Sequence, residues 1–246
     1  MGNGGVIMSF KQGLKDGIPI FLGYLAVSFA FGIFCITKGL TPLVAIITSL
    51  TNLTSAGQFA GVQLMIVVAP YIEIFLTVLL INLRYSLMSI ALTQKLDDSV
   101  KTYQKLVFGF GVTDEVFAIS IQKDKITARY MYGLIILPIV GWTLGTALGC
   151  ISSDILPKRV LDALGISLYA MFIAIIIPEA RKKLSVFLVV LLAAGLGVLF
   201  YYTPYLKEIS IGFQIIISTL VASIFGALVF PVKDEEKEGD NDVSSD

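Results

Sequence analysis

The sequence predicts an all-α polytopic membrane protein with about six full transmembrane helices plus two discontinuous or re-entrant elements. Two features of the composition support this class: 56% of the 246 residues are hydrophobic and only 15% are charged. A soluble domain carries about 25% charged residues. The apolar residues also form runs close to the roughly 20 residues that a helix needs to cross a bilayer. One water-soluble core cannot bury this much apolar surface, so the surplus is expected to face lipid.

Six uninterrupted apolar runs account for the full transmembrane helices. They cover residues 17–37, 71–93, 131–150, 159–180, 184–203 and 209–231. In the third run, Gly141, Gly145 and Gly149 recur at four-residue spacing, which favours close packing of helices in lipid. No cleavable signal is visible at the polar amino end, so we expect the first run to be a retained helix.

Two further apolar stretches, 41–69 and 106–122, are interrupted by polar residues. If both re-enter and return on one side, 13 Lys and Arg residues lie inside and four outside; if both cross, the counts are ten and seven. Cytoplasmic loops usually carry the excess of positive charge. The first arrangement has the stronger bias and is favoured over the second. Both arrangements place the two termini in the cytoplasm.

The composition excludes several functional classes. The chain has no histidine, which removes histidine metal ligands, Ser-His-Asp triads and imidazole proton relays. Two cysteines and a net charge of zero argue against a disulfide scaffold and against a nucleic-acid partner. No nucleotide-binding motif is present in the sequence. We therefore expect no metal, no cofactor and no enzymatic activity.

Asn82 and Arg84 lie within the apolar run 71–93. A charge at membrane depth costs about 3 kcal/mol on insertion scales, so such a residue usually faces the bundle interior or water. The planar guanidinium of Arg84 suits a carboxylate group. The alternative is that Arg84 extends toward the cytoplasmic interface.

Asp114 and Glu115 interrupt the stretch 106–122. Adjacent residues of a helix point about 100° apart, so at most one of these acids is expected to face a given site. A carboxylate in a partly desolvated cavity can exchange a proton near neutral pH, or it can pair with a substrate ammonium. Both acids are therefore candidates for ion or proton coupling. The alternative is that they stabilise the start of a helix.

The interruption of the stretch 41–69 is rich in hydroxyl and amide groups. The candidates for substrate binding here are Thr54, Ser55, Gly57 and Gln58. Unwound backbone in a membrane is tolerated only beside protein or a water-filled cavity. A half-helix that starts there would offer free N–H groups to an anionic group, with Gly57 permitting the turn and Gln58 offering a donor and an acceptor. The alternative is a set of structural hydrogen bonds between helices.

Four motifs carry a resemblance to a known family. They are Gly13-x-x-Asp16-Gly17-Ile18-Pro19, Thr54-Ser55-Ala56-Gly57-Gln58-Phe59, Ile81-Asn82-Leu83-Arg84-Tyr85 and Thr113-Asp114-Glu115. From about Gly13 to Arg181, the chain resembles the AzlC family, the large subunit of a bacterial branched-chain amino acid exporter. The resemblance implies export of hydrophobic amino acids and a small hydrophobic partner subunit of the AzlD type. Many relatives have a histidine after the Asn-x-Arg triplet, whereas this chain has Tyr85.

The sequence and the resemblance together predict a secondary transporter that exports branched-chain amino acids across the bacterial cytoplasmic membrane, driven by an ion gradient. The break at 54–58 and Arg84 would bind the substrate carboxylate, and Asp114 or Glu115 would bind its ammonium or a coupling proton. Asn82 is a further candidate for substrate binding. Three alternatives remain open. They are an uncoupled channel or facilitator for a small metabolite, an intramembrane enzyme with the two acids as acid and base, and a non-transporting assembly partner.

Three regions with different surroundings are predicted. Residues 1–16 form a polar cytoplasmic segment, residues 17–232 the transmembrane transport domain, and residues 233–246 an acidic disordered tail. The tail holds seven acidic residues and two lysines, a net charge of −5, and almost no apolar residue. Such a composition cannot form a packed core.

Overall fold

A computed structural model describes residues 9–153 and 155–231, and this part of the chain contains ten α-helices and the short 3-10 helix Leu206–Glu208. The helices are α1 (Phe10–Thr37), α2 (Pro42–Thr51), α3 (Ser55–Ile66), α4 (Tyr71–Thr93), α5 (Thr102–Gly111), α6 (Asp114–Ile121), α7 (Ala128–Ser152), α8 (Lys158–Lys182), α9 (Leu184–Tyr202) and α10 (Ile211–Val229). The predicted all-α class is confirmed. The predicted tail 233–246 and residues 1–8 of the predicted amino-terminal segment lie outside the described residues.

The helices follow the predicted transmembrane runs closely. Helices α1, α4, α7, α9 and α10 are long and apolar enough to cross a membrane, and the remaining run, 159–180, lies within α8. The first helix begins at Phe10 and not at residue 17, because the Ser9 hydroxyl caps it by accepting a hydrogen bond from the Gln12 N–H at 3.2 Å. It ends where Gly39 adopts a φ of +87°, the left-handed conformation that commonly terminates helices.

The chain divides into two compact units. The first comprises the described residues up to 174 together with 211–213, and the second comprises 175–210 and the described residues from 214 onward. Every predicted site residue belongs to the first unit. In the second unit, α9 and α10 pack closely, because a Cβ added at Gly226 would lie 3.0 Å from a methyl carbon of Val189.

Within the first unit, α1 and α7 run parallel with their backbones in contact. A Cβ added at Gly133 near the start of α7 would overlap the carbonyl oxygen of Phe10, and one at Gly149 near its end would overlap that of Phe29. The first residues of α1 lie beside the first residues of α7, and later residues lie beside later ones. The two helices therefore run in the same direction. The predicted packing role of the α7 glycines is confirmed, since small residues let helix backbones approach in lipid.

The first interrupted stretch forms a helical hairpin from α2 and α3, with its turn at residues 52–54. One buried cluster combines the start of α2, the end of α3 and the carboxyl ends of α1 and α7: Ala45, Val62, Cys35 and Cys150. The turn residue Leu53 lies in a different cluster with Tyr24, near the middle of α1. The hairpin α2–α3 therefore enters beside the carboxyl ends of α1 and α7, reaches their middle and returns.

The second interrupted stretch forms a hairpin from α5 and α6, with its turn at residues 112–113. The segments that flank it are joined, because the Ile126 N–H donates to the Lys95 carbonyl at 2.8 Å and the Asp97 N–H donates to the Ile126 carbonyl at 2.9 Å. Both segments lie beside the amino end of α7. Val112 at the turn belongs to the cluster that contains Tyr24. This hairpin therefore enters from the opposite end of the α1–α7 pair.

An exposed charge cluster reinforces this joint between the flanking segments. Asp97 accepts a hydrogen bond from the Ser99 N–H at 2.9 Å and lies 3.1 Å from the Lys125 ammonium. The Ser99 hydrogen bonds, and next Lys125, lower the pKa of Asp97 to about 2. The stabilisation from this depressed pKa is present above the ordinary pKa of an aspartate and is lost as the pH falls through about 2.

The turns of the two hairpins both approach the middle of the α1–α7 pair. Leu53 from the first turn and Val112 from the second share one buried cluster with Tyr24 of α1 and Trp142 of α7. Each hairpin has both of its ends at a single end of the helix pair. This geometry agrees with the favoured re-entrant arrangement of the stretches 41–69 and 106–122.

Cysteine labelling of intact cells and of inside-out membrane vesicles tests the second hairpin directly. The two native cysteines are buried, so single cysteines can be introduced at exposed loop positions. Lys101→Cys and Asp124→Cys, at the two ends of the hairpin, are expected to react with a membrane-impermeant maleimide from the same side. Lys38→Cys, after α1, is expected to react from the other side. Labelling of Lys101→Cys and Asp124→Cys from opposite sides would show that the hairpin crosses.

Candidate functional site

The turn of the second hairpin places an ion pair between α4 and α6. A guanidinium nitrogen of Arg84 lies 2.8 Å from a carboxylate oxygen of Asp114. The same nitrogen donates to the Tyr85 hydroxyl at 2.8 Å, and this hydroxyl donates to Asp114 at 3.3 Å. The side chains of Arg84 and Asp114 are 45% and 43% exposed. The pair is thus held by the fold and remains open to a further binding partner.

Glu115 contacts a different helix from Asp114, the residue that precedes it. Its carboxylate accepts a hydrogen bond from the hydroxyl of Tyr24 on α1. Tyr24 is buried, and its ring meets that of Trp142 edge-on, with centroids 5.0 Å apart and an interplanar angle of 70°. The two adjacent acids therefore separate as the angular step of a helix predicts: Asp114 contacts α4 and Glu115 contacts α1.

Gln58 of α3 lies in a buried hydrogen-bond network. The Trp142 indole N–H donates to its side-chain oxygen at 2.7 Å, and its side-chain nitrogen donates to the Ser49 hydroxyl at 2.6 Å. Ser49 in turn shares a 2.6 Å hydrogen bond with the Thr146 hydroxyl of α7. Gln58, Ser49 and Thr146 are each 0% exposed. The Gln58 amide therefore already uses its donor and acceptor groups to fix α2 and α3 to α7.

The break between α2 and α3 is shorter than the predicted interruption. Only residues 52–54 are non-helical, because the Gln58 N–H donates to the Thr54 carbonyl at 2.8 Å and so closes a first helical turn from Ser55. The Thr54 side chain does not cap this helix; its hydroxyl donates to the Asn52 side-chain oxygen at 2.7 Å. The first N–H groups of α3 thus lack a side-chain cap and form the positive end of a helix dipole.

Asn82 of α4 lies against this first turn. A Cβ added at Gly57 would be 2.5 Å from the Asn82 side-chain oxygen and 2.6 Å from the Thr54 hydroxyl. Gly57 is therefore needed for close approach within a helix, and its predicted role in a turn is wrong. The Asn82 oxygen is buried and has no hydrogen-bond partner among the described residues. Leaving a buried acceptor unpaired costs about 1–3 kcal/mol, so this oxygen is suited to accept a proton donor from a ligand or water.

The predicted site residues fall into two groups. Thr54, Ser55, Gly57, Gln58 and Asn82 surround the start of α3, and Arg84, Asp114 and Glu115 surround the start of α6. The two groups are linked through Trp142, which donates to Gln58 and packs against the Tyr24 ring. The structure thus relates both groups through the region that both hairpin turns approach.

Sequence reasoning does not identify several residues that complete these groups. They are Tyr24, Ser49, Tyr85, Trp142 and Thr146. Tyr85 carried a signal, because it stands beside Arg84 where many members of the resembled family have histidine. The others are ordinary aromatic or hydroxyl residues within apolar runs, and only the tertiary contacts distinguish them. In the part of the chain that the structure describes, no cluster of three or more acidic or cysteine residues could hold a metal ion.

Removing the Gln58 amide is expected to destabilise the protein. Gln58→Leu leaves the Trp142 N–H without its acceptor and leaves the Ser49 hydroxyl with Thr146 alone, at a cost of about 1–3 kcal/mol. Trp142 is the single tryptophan of the chain, so its fluorescence reports this site alone, and we expect its emission to move to shorter wavelength as the indole loses a polar partner. The matched control is Gln63→Leu on the same helix. Unchanged emission and thermal midpoint in Gln58→Leu would contradict the observed network.

These features define the class of the protein: it is a polytopic membrane protein whose charged groups lie between discontinuous helices, as they do in many membrane transporters. The chain belongs to the AzlC family, since the family described as AzlC protein matches residues 19–156. The matched range contains every predicted site residue. The family that the sequence motifs resemble is therefore confirmed.

Curated relatives come from archaea and bacteria. A protein of Archaeoglobus fulgidus named "Uncharacterized membrane protein" is 34% identical over 179 residues, which cover 71% of this chain and 77% of the relative. The "Inner membrane protein YgaZ" of Escherichia coli is 27% identical over 80% of this chain and 84% of its own length. The "Branched-chain amino acid transport protein AzlC" of Bacillus subtilis is 27% identical over 71% of this chain and 69% of its own length. No solved structure matches the chain.

Proposed function

We propose that this chain is a secondary transporter that exports branched-chain and other hydrophobic amino acids across the bacterial cytoplasmic membrane, driven by an ion gradient. The observation that carries the proposal is the half-exposed ion pair of Arg84 and Asp114 beside the region that both hairpin turns approach. Charges at such depth are costly unless they face water, protein or a ligand. The name of the Bacillus subtilis relative, which states branched-chain amino acid transport, supports the substrate class.

Together, the two polar groups supply partners for both charged ends of an amino acid. The guanidinium of Arg84 and the uncapped first turn of α3, formed by residues 54–57, supply positive ends for a carboxylate. The carboxylate of Asp114 and the unpaired oxygen of Asn82 supply acceptors for an ammonium group. Gln58 acts indirectly, because it fixes the first turn of α3 to Trp142.

The hairpins provide a means of exposing this site to one side at a time. Each hairpin closes one end of the α1–α7 pair, and both turns approach its middle. Transporters with discontinuous helices bind their substrate and coupling ion near the membrane midplane in this manner. Since the sequence contains no nucleotide-binding motif, an ion gradient is the proposed source of energy.

A small hydrophobic subunit of the AzlD type is the proposed partner of this chain. Both termini of this chain are proposed to lie on the cytoplasmic side. Leu83 and Leu87 of α4 are exposed on either side of Arg84 in sequence, and Arg84 itself is half exposed. An ion pair that faced lipid would cost about 3 kcal/mol per charge, so a second protein surface beside α4 would stabilise it. The bias of Lys and Arg toward the predicted inner loops supports the orientation of the termini.

Counterflow in proteoliposomes tests the proposal. The purified chain is reconstituted alone and with the small subunit, the vesicles are loaded with unlabelled leucine, and uptake of labelled leucine is measured. We expect transient accumulation above that of empty liposomes, and competition by isoleucine and valine. Absence of counterflow in both preparations would contradict the proposal. Leucine efflux that is unaffected when an uncoupler collapses the proton gradient would identify an uncoupled facilitator.

A further inference from the structure

The two adjacent acids at the start of α6 have different electrostatic surroundings. Asp114 is paired with the guanidinium of Arg84 at 2.8 Å and also accepts from Tyr85. Glu115 is bound by the neutral hydroxyl of Tyr24, and among the described residues no lysine or arginine nitrogen lies within ion-pair distance of it. Both acids lie in the first turn of α6, but only Asp114 is paired with a cationic side chain.

This difference decides which acid can exchange a proton at low cost. Protonation of Asp114 would leave the Arg84 charge without its partner, and an uncompensated charge away from water is strongly unfavourable. Protonation of Glu115 removes a charge that no cationic side chain faces. It leaves the hydroxyl of Tyr24 on α1 in place, and it leaves Arg84 and Tyr85 of α4 with their partner Asp114. Glu115 is exposed at the surface of its hairpin, so packed side chains of this chain do not enclose its carboxylate.

The partner of Glu115 also connects it to the other hairpin. The buried Tyr24 ring packs against Trp142 at 5.0 Å between centroids, and the Trp142 N–H donates to Gln58 of α3 at 2.7 Å. An ionised carboxylate holds a phenol hydroxyl more strongly than a neutral carboxyl group does. A change in the charge of Glu115 therefore changes the contact that holds α6 to α1, and it reaches the first hairpin through Tyr24 and Trp142.

We propose that Glu115 is the carboxyl group that takes up and releases the coupling proton, that Asp114 stays ionised as the partner of Arg84, and that Tyr24 is the positioning residue that conveys the state of Glu115 to the first hairpin. In this step a proton from water on one side binds the Glu115 carboxylate, and the same proton leaves to water on the other side. No other bond forms or breaks. The inference rests on the proposed ion-driven export.

The test separates coupling from exchange in proteoliposomes of the full chain with its small subunit. Counterflow of leucine at equal pH needs no net proton movement, whereas uphill leucine transport driven by an imposed pH gradient does. We expect Glu115→Gln to lose gradient-driven transport down to the level of empty liposomes while counterflow persists. We expect Asp114→Asn to lose both, because Arg84 is left unpaired. The matched control Glu208→Gln, in the short 3-10 helix, is expected to retain both.

A second variant, Tyr24→Phe, tests whether Tyr24 positions Glu115 or only supports the fold. Tyr24→Phe removes only the hydroxyl that donates to the Glu115 carboxylate, so the midpoint of the pH profile of gradient-driven leucine transport is expected to shift to higher pH, while counterflow persists. Gradient-driven transport by Glu115→Gln at the wild-type rate would overturn the inference, as would an unshifted midpoint in Tyr24→Phe. Loss of counterflow by Glu115→Gln in folded protein would assign Glu115 to substrate binding instead. Absence of counterflow in the wild type would overturn the proposed function itself.

Discussion

Replacing Arg84 with alanine is expected to lower leucine counterflow about a hundredfold or more, the loss typical when a substrate-positioning group is removed. The guanidinium is the cation that neutralises Asp114 at 2.8 Å, and it is the proposed partner of the substrate carboxylate. Without it, Asp114 presents an unpaired negative charge that repels a carboxylate and disfavours the bound state. Counterflow in proteoliposomes, normalised to the amount of reconstituted protein, measures the effect.

Two further variants separate charge from geometry at this position. Arg84→Lys keeps the charge but loses the planar fork, so we expect counterflow between that of the wild type and that of Arg84→Ala. The exchange of both partners, Arg84→Asp with Asp114→Arg, restores the pair and is expected to recover protein stability but not counterflow, because the cation then lies on α6. Wild-type counterflow in Arg84→Ala would show that the ion pair is structural.

Introducing a single methyl group at Gly149 is expected to destabilise the protein by about 1–3 kcal/mol, the usual cost of overpacking a tight contact. A Cβ at this position would overlap the carbonyl oxygen of Phe29, so α1 and α7 must separate to admit it. The double variant Gly133→Ala with Gly149→Ala disturbs both ends of the contact and is expected to prevent accumulation of folded protein. Thermal midpoints in detergent and the monodisperse fraction after size-exclusion chromatography measure both effects.

Gly23 on α1 supplies the matched control. No packing neighbour lies within 4 Å of a Cβ added there, apart from the adjoining backbone of α1 itself, and alanine favours a helix over glycine by up to about 1 kcal/mol. Gly23→Ala is therefore expected to have a thermal midpoint equal to or higher than that of the wild type. If Gly149→Ala behaved in the same way as Gly23→Ala, the backbones of α1 and α7 would not be in contact.

The sequence predicts the helices better than it predicts their contacts. Helix α4 has the predicted bounds 71–93, since Pro70 precedes a continuous apolar run and polar residues follow it. The start of α1 is predicted seven residues too late, because the charged residues before Gly17 suggest a loop, although side chains near a membrane surface can extend into water. The charge bias of the loops favoured re-entry of the two interrupted stretches without deciding it.

The candidate site is predicted only in part for a related reason. A charge inside an apolar run is a strong signal, so Arg84 and Asp114 are found from the sequence although 30 residues separate them. Tyr24 and Trp142 give no such signal, because their roles depend on α1 and α7 running parallel. The sequence places both in apolar helices, but it does not state which faces of these helices meet.

The contact between α1 and α7 has a consequence for measuring the motion of this protein. Since no side chain separates their backbones where the glycines lie, these helices can neither slide nor tilt against each other without a steric clash, and they form a fixed reference frame for the first unit. Pairs of spin labels placed on α1 and α7 should therefore report one constant separation throughout the working cycle. Labels on the loops of the two hairpins, measured against that frame, should report two populations that change with substrate.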